Sequence, residues 1–504
     1  MKYIIFYSAL FCALFSTAQN LADGLEYTGT DLSGTARYRA LSGAFGALGG
    51  DLSAMGNNPA GSVVFANNYA GFTLTLNRNN NSTTYFGSGL ESNNSDFTIG
   101  QAGGVLVFKN TEETSLTKFA FGLNYDMTRN YDNSVNFRGT SPTSVSNYFL
   151  NNANGIALEN FTVMNNETVG GLYQFLGEEF GFGGQIGFLG YESFLLNAVD
   201  ENDPNNTQYL SATGTGSFDQ DYLRETTGSQ SKISFNASMQ LNNKWNFGIN
   251  LNSHVLNYER LLSIIENNTN ADASVNNVRF DNLLVTEGSG FSAQLGFIGK
   301  ITESFRIGAT YESPTWYRIN ESNSQDISTI SNNGGNSSSA FVQPNVINVF
   351  APYDLRSPGS LTGSLAYIFN KKGLISFDYT TRDYSRIKFS PDSDPLFATN
   401  NDLASSELTR ASSIRLGAEY RIKRLSLRGG YRIEQTPYEN EDIMGDLTGY
   451  SLGLGYTWGS TTLDLSYDRA ERDYSQQLFD TGLTTSGNVQ NTRNNIVLTL
   501  GFNL

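Results

Sequence analysis

The chain has 504 residues, of which 39% are hydrophobic and 16% charged, and its formal net charge of −16 argues against nucleic acid or anionic lipid as a partner. Its only cysteine is Cys12 and its only histidine is His254, so no disulfide, thiolate metal site or multi-histidine metal site is expected, and no cofactor. With 51 glycines, 27 tyrosines and 34 phenylalanines but few charges and no long apolar run, the composition is that of an outer-membrane barrel.

Residues 1–18, MKYIIFYSALFCALFSTA, join Lys2 to an apolar run and end in the small side chains of Ser16 and Ala18. This is the pattern of a secretory signal peptide cleaved after Ala18, and the run is too short for a spanning helix. Ala9-Leu10-Phe11 before Cys12 are too bulky for a lipoprotein cleavage site. Residues 19–66 include ARYRALSGAFGALGGDLSAMGNNPAGSVV, rich in Ala, Gly and Ser and poor in bulky apolar residues. Short helices and tight turns are expected there, and their place ahead of a barrel makes them a plug in its lumen.

Residues 67–504 read as the barrel, and from about residue 229 to the end the signal is alternation. Residues 424–433, RLSLRGGYRI, place Leu425, Leu427, Tyr431 and Ile433 on one face and Arg428 and Arg432 on the other. Residues 414–422 and 450–458 repeat the pattern, which is a strand with one greasy side. Strands are expected near residues 69–77, 97–109 and 117–129, and eleven more begin near 229, 245, 288, 304, 358, 374, 410, 425, 448, 461 and 492. That makes an all-β transmembrane antiparallel barrel of about fourteen strands, an even number as bacterial barrels require. A strand pair from FGFGGQIGFLGYESFLL (180–196) would raise the count to about sixteen. Fourteen is preferred, with 130–228 as the largest outer loop, carrying short helices. Short links at Lys423-Arg424 and 242–244 alternate with long polar ones near 260–286, 319–356, 389–409 and 474–491, as periplasmic turns alternate with outer loops.

Alternation also selects candidate site residues. Arg415, Glu419, Arg428, Arg432 and Asp464 fall on lumen faces of neighbouring strands. One arginine there would suit a fatty carboxylate, but the near balance of acids and bases favours a compensated charge ladder that stiffens the wall and binds the plug. Tyr148, Phe149, Leu150, Ile156, Leu158 and Phe161, with Leu172, Tyr173, Phe175 and Leu176 further on, are either a receptor surface for an apolar ligand or the loop's own core. His254 shares the inward set with Asn246, Asn250 and Asn252, and reads as a polar lumen residue. The acidic pieces DENDP (200–204) and PDSDP (391–395) read as solvated loop charge rather than calcium ligands, and SGAFGALGG (42–50) lacks the strand and the Lys-Ser/Thr ending of a phosphate loop. No catalytic residue emerges. Leu427→Arg is expected to impair insertion and Arg428→Leu to be tolerated.

Asn58-Pro59-Ala60-Gly61 after a small-residue helix, together with IRLGAEYRIKRLSLRGGYRIEQTPY (414–438) and SLAYIFNKKGLISFDYTTRDYS (364–385), resembles the outer-membrane family of long-chain fatty acid and aromatic-hydrocarbon transporters. The resemblance implies a fourteen-stranded barrel with an N-terminal hatch whose motif here is Asn58, Pro59 and Ala60. It also implies passive uptake of hydrophobic small molecules, caught by outer loops and released through a lateral opening in the wall. The setting would be the outer membrane of a Gram-negative bacterium, with membrane lipid, the hydrophobic ligand and, during biogenesis, the barrel-insertion machinery as partners. The alternative is a barrel serving as scaffold or shuttle in a secretion or assembly complex.

Overall fold

The computed structural model describes residues 20–112, 114–333, 336–370 and 372–504; the expected signal peptide, residues 1–18, lies outside the described residues. Fourteen antiparallel strands close into a barrel. They are β1 (Tyr69–Tyr85), β2 (Ser88–Lys109), β3 (Leu116–Asn130, resuming as Asn133–Ser141), β4 (Phe218–Leu241) and β5 (Trp245–Asn267). β6 (Val275–Lys300), β7 (Phe305–Glu312 and Trp316–Asn333), β8 (Asn336–Val342 to Ser360–Phe369, with breaks) and β9 (Gly373–Asp383 and Lys388–Ser390) follow. β10 (Arg410–Ile422), β11 (Leu425–Glu434), β12 (Leu447–Trp458), β13 (Thr461–Gln477) and β14 (Ser486–Asn503) complete the ring, which β14 closes on β1 from Tyr69↔Asn503 to Thr84↔Asn488.

The outward side chains near one end of every strand are large and apolar, among them Phe247, Ile249 and Leu251 on β5 and Leu425, Leu427 and Tyr431 on β11. Ser426, Arg428 and Arg432 alternate with them and are buried inside. An apolar exterior over a polar lumen is what a hydrocarbon surround selects. The links at this end are short, at 242–244, 301–304, Lys423-Arg424 and Gly459-Ser460, and the barrel's first and last strands meet there too.

At the other end the strands outrun the membrane, so the segments near 260–286 and 319–356 are mostly strand, and 474–491 is strand on both sides of a loop at 478–485. The alternation inverts as it leaves the lipid. On β5, Leu256, Tyr258 and Ile264 point in and are buried, while Asn257 and Glu259 point out into water. A pattern sought with its apolar face outward ends where the surroundings change, although the strand continues. The stretch 180–196 adds no strand to the wall: most of it is the second half of a helix, α5, described below.

Four short helical pieces lead into the barrel: α1 (Leu21–Thr28), α2 (Ala36–Ala40), α3 (Leu52–Asn57) and a 3₁₀ turn (Pro59–Val64). Each begins at a side-chain cap, from Asn20, Thr35, Asp51 and Asn58 respectively. Their contacts run round the ring. Ala36 N–H donates to Thr499 on β14, Ser42 N–H to Ser451 on β12 and Gly46 N–H to Asp378 on β9, while Asn58 donates to the Phe297 carbonyl on β6. The segment therefore fills the lower lumen. Wall glycines make room for it, since a Cβ on Gly430 would stand 2.5 Å from the Leu41 carbonyl carbon.

Between β3 and β4 a cap covers the outer end. It holds α4 (Ser146–Ala153), a 3₁₀ turn (Leu158–Phe161), α5 (Val169–Glu192, kinked at Gly181 with φ 68°) and a small hairpin of Leu196–Ala198 with Tyr209–Ser211. Its core of Phe149, Phe161, Tyr173 and Phe188 is continuous with Phe137 and Phe280 of the wall. A sixth helix, α6 (Pro395–Glu407), follows β9 in the chain and packs on that strand's outer piece and on α1.

Candidate functional site

The lumen charges on β10 to β13 fall into two tiers. In the lower, Glu419 accepts from Arg428 Nε at 2.7 Å, Arg37 Nε at 2.8 Å and Arg421 Nε at 2.9 Å, and Arg428 Nη1 reaches Asp464 at 2.6 Å. Beside it, Arg39 forks onto Asp468 at 2.9 and 3.0 Å. Arg37 and Arg39 belong to α2, so these pairs tie the N-terminal segment to the wall. Arg428 is only 3% exposed at its side chain and lies between two carboxylates, so its replacement by Leu is no longer expected to be neutral. In the upper tier, Arg415 and Arg432 face open space with Glu434 between them.

That space is a cavity of about 1330 Å³ between the N-terminal segment below and the cap above. Its wall mixes cations such as Arg129, Arg415 and Arg472 with apolar groups such as Tyr148, Leu447 and Phe479. The outer-loop candidates divide here. Tyr148 borders the cavity, whereas Phe149, Leu158 and Phe161 are enclosed in the cap's core, with Leu150 and Ile156 packed against it. Leu172, Tyr173 and Leu176 are in that core too, and Phe175 is exposed on α5.

The cavity also reaches the wall between β2 and β3. Their main chains pair only from Gln101↔Asp126 to Lys109↔Lys118, whereas β1 follows β2 all the way to Ser88. Over residues 88–100, β2 is therefore without a ladder on its β3 side. Above Asn130, β3 breaks, and its upper piece pairs with β4 alone. Side chains span the gap, with Asn130 Nδ2 donating to Asp96 at 2.8 Å and Ser92 Oγ to the Ser134 carbonyl, while from β1 Asn81 Nδ2 reaches the Ser134 carbonyl at 2.8 Å and Thr83 Oγ1 the Asn136 carbonyl at 2.6 Å. Thr75, Asp96, Thr98, Gly100, Met127 and Asn130 line the cavity here. The run NRNNNSTT (77–84) on β1 is asparagine-rich, as is NVQNTRNN (488–495) on β14, and in the sequence both resemble loops.

Asn58 does three things in the plug motif. Its Oδ1 accepts from Ala60 N–H at 3.1 Å, and its Nδ2 donates to the carbonyls of Gly46 at 2.7 Å and Phe297 at 3.0 Å. Pro59 rests against Gly248 and Gly296 of the wall. His254 Nε2 lies 2.8 Å from Ser292 Oγ, with Tyr317 edge-on to its ring. In DENDP, Asp200 and Asp203 accept from nearby backbone N–H groups, while in PDSDP Asp392 pairs with Lys388 and Asp394 caps α6. Among the described residues no group of three or more His, Cys, Asp or Glu side chains is placed to hold a metal ion.

Comparison with known proteins gives the architecture its relatives. A FadL homologue of Pseudomonas aeruginosa is 12% identical, with 94% of this chain and 99% of that one covered at a TM-score of 0.55. The P. putida toluene transporter TodX is 15% identical, with the same coverage and a TM-score of 0.51. Identities so low speak to the fold alone. Curated protein sequences return no match. The profile of the family described as outer membrane protein transport protein (OMPP1/FadL/TodX) covers residues 209–504, which is more than half of the chain, and with the closed fourteen-stranded wall this places the protein in that family of outer-membrane transport proteins.

Proposed function

We propose that the protein carries hydrophobic small molecules, of long-chain fatty acid-like character, passively across the outer membrane. The observation that carries this reading is the continuity of the large cavity with the unpaired stretch between β2 and β3. The straight route to the periplasm is filled by residues 20–66, which act as a hatch, so an apolar solute leaves sideways into lipid. Lateral exit also suits the energetics, because an apolar molecule that passes from cavity to hydrocarbon never returns to water. Tyr148 and its neighbours on the cap form the entrance, and Asn58, Pro59 and Ala60 hold the hatch against β5 and β6. Residues 1–18 direct export, and the barrel-insertion machinery delivers the chain to its lipid surround.

The test is accumulation of radiolabelled long-chain fatty acid, and in parallel of a monoaromatic hydrocarbon, by Gram-negative cells that lack their own such channel and express this protein. Saturable accumulation above empty-vector cells, altered by deletion of Asn58 to Ala60, is the expected result. No accumulation from a folded, heat-modifiable barrel would overturn the reading and leave the scaffold role.

A further inference from the structure

The upper tier of lumen charge is not compensated. Arg415 on β10 and Arg432 on β11 are direct cross-strand partners, a juxtaposition of like charges that destabilises a sheet unless a counter-charge is present. Arg472 of β13 joins them, and the space is left by Gly449 of β12, where a Cβ would stand 3.3 Å from Arg432 Nε. One acidic residue, Glu434, faces all three guanidinium groups. Glu434 accepts from Arg415 Nη2 at 3.2 Å, lies 3.7 Å from Arg432 Nε, and offers Arg472 only its backbone carbonyl, at 3.5 Å.

Neighbouring charges do not close the deficit. Asp31 pairs with Arg493, Asp468 with Arg39 and Glu26 with Arg129, while Asp378, opposite Arg415 on β9, is taken up by the Phe45 and Gly46 N–H groups and by Asn57, so none of these acids forms an ion pair with the three arginines. Arg432 is 6% exposed, lines the cavity and has no hydrogen-bond partner among the described residues. The Nε atoms of all three arginines are buried without an acceptor. A guanidinium removed from water and left unpaired is costly, so the arrangement is built for an acceptor brought from outside.

We propose that Arg415, Arg432 and Arg472 form a binding site for a doubly charged oxyanion of the phosphate monoester class, carried on an apolar body. Three cations against one carboxylate leave an excess of two, which a dianion neutralises and a fatty monocarboxylate does not. Planar forks match the oxygens of a phosphoryl group. Met444, whose sulfur is 3.6 Å from Arg472 Nη1, and Leu447, which is paired with Glu434, offer an apolar wall beside the head-group site. This rests on the uptake reading above and refines its ligand to an amphiphile with a dianionic head.

The full chain, purified in non-ionic detergent, is tested by displacement of a bound fluorescent fatty acid with dodecyl phosphate, dodecanoate, dodecanol and inorganic phosphate. Near pH 8 dodecyl phosphate is expected to compete about tenfold better than dodecanoate. Dodecyl phosphate itself should compete more weakly near pH 5, where the phosphate, with a second pKa of about 6, becomes a monoanion. Arg432→Gln should remove the advantage while dodecanol binding stays as it was, and Glu434→Gln should enlarge it. Competition by inorganic phosphate at comparable concentration would assign the site to a free anion, and its failure beside a strong alkyl phosphate would assign it to an amphiphile's head group. Equal competition by phosphate and carboxylate, or an advantage that survives Arg432→Gln, overturns the site but leaves hydrophobic uptake standing. If the probe itself does not bind a heat-modifiable barrel, both readings fall.

Discussion

At the scale of single residues, the two faces of β11 have opposite demands. Leu427, 40% exposed, looks into hydrocarbon, and an arginine there near the midplane should cost about 2 to 4 kcal/mol of barrel stability. Arg428, one residue on, fails for a different reason. Arg428→Leu leaves Asp464 buried beside an apolar group and takes one of three cations from Glu419, so a loss of about 3 to 5 kcal/mol is expected. Adding Asp464→Asn to Arg428→Leu should restore part of that loss, whereas it should do nothing for Leu427→Arg. Urea titrations read by heat-modifiable mobility distinguish these outcomes. A neutral Arg428→Leu would show that the tier is solvated. The sequence located these residues on the lumen face because alternation reports side. It left their partners unknown, because Arg37 and Arg39 come from a segment some 380 to 430 residues away.

Elements carry the next level of control. The N-terminal segment sits where wall glycines let its backbone approach, and Gly430 and its neighbour Gly429 make a matched test. A Cβ at Gly430 collides with Leu41, whereas one at Gly429 makes only ordinary contacts, with Leu452 at 3.7 Å and the Ser451 carbonyl at 3.8 Å. Gly430→Val should lift the segment and raise ion conductance in planar bilayers, and Gly429→Val should leave conductance unchanged; equal effects would mean that the segment does not seal the lumen. Beneath the cap, Glu266 of β5 is fully buried and accepts hydrogen bonds from Ser144, the Val145 N–H and Gln220. Burial outweighs these bonds and raises its pKa. With the folded value above the unfolded one, ionisation opposes folding, so the cap should resist proteolysis better as pH falls from neutral toward about 5, and worse as pH rises. Glu266→Gln should flatten that dependence, and an unchanged slope would assign it to other groups. The cap's helices were only partly legible beforehand: glycine-rich, apolar 180–196 fits helix and strand equally by composition, and its packing on Phe149 and Phe161 decides.

For the molecule as a whole, strand number and the greasy belt were legible because lipid imposes one rule on every strand. The cavity and the unpaired stretch of wall beside it were not, because they depend on where pairing stops. Nothing in residues 88–100 marks them as a strand with one free edge, and the break at Tyr131-Asp132 has no proline or glycine to announce it. If solutes leave there, closing the gap should stop transport while the rest of the cavity stays as it is. Asp96 and Asn130 already meet across it at 2.8 Å, and the sequence's only cysteine, Cys12, falls in the expected signal peptide. An Asp96→Cys, Asn130→Cys chain joined by a short bismaleimide would thus be linked at one place. Fatty acid should still bind, because the cavity's cap, hatch and arginines are unaltered, but its release into the membrane should slow by about tenfold or more, as expected when a required opening step is blocked. Each single-cysteine chain treated with the same reagent should transport normally. Unimpeded uptake through the linked wall would place the exit elsewhere in the barrel and require the hatch, rather than the gap between β2 and β3, to provide the way out.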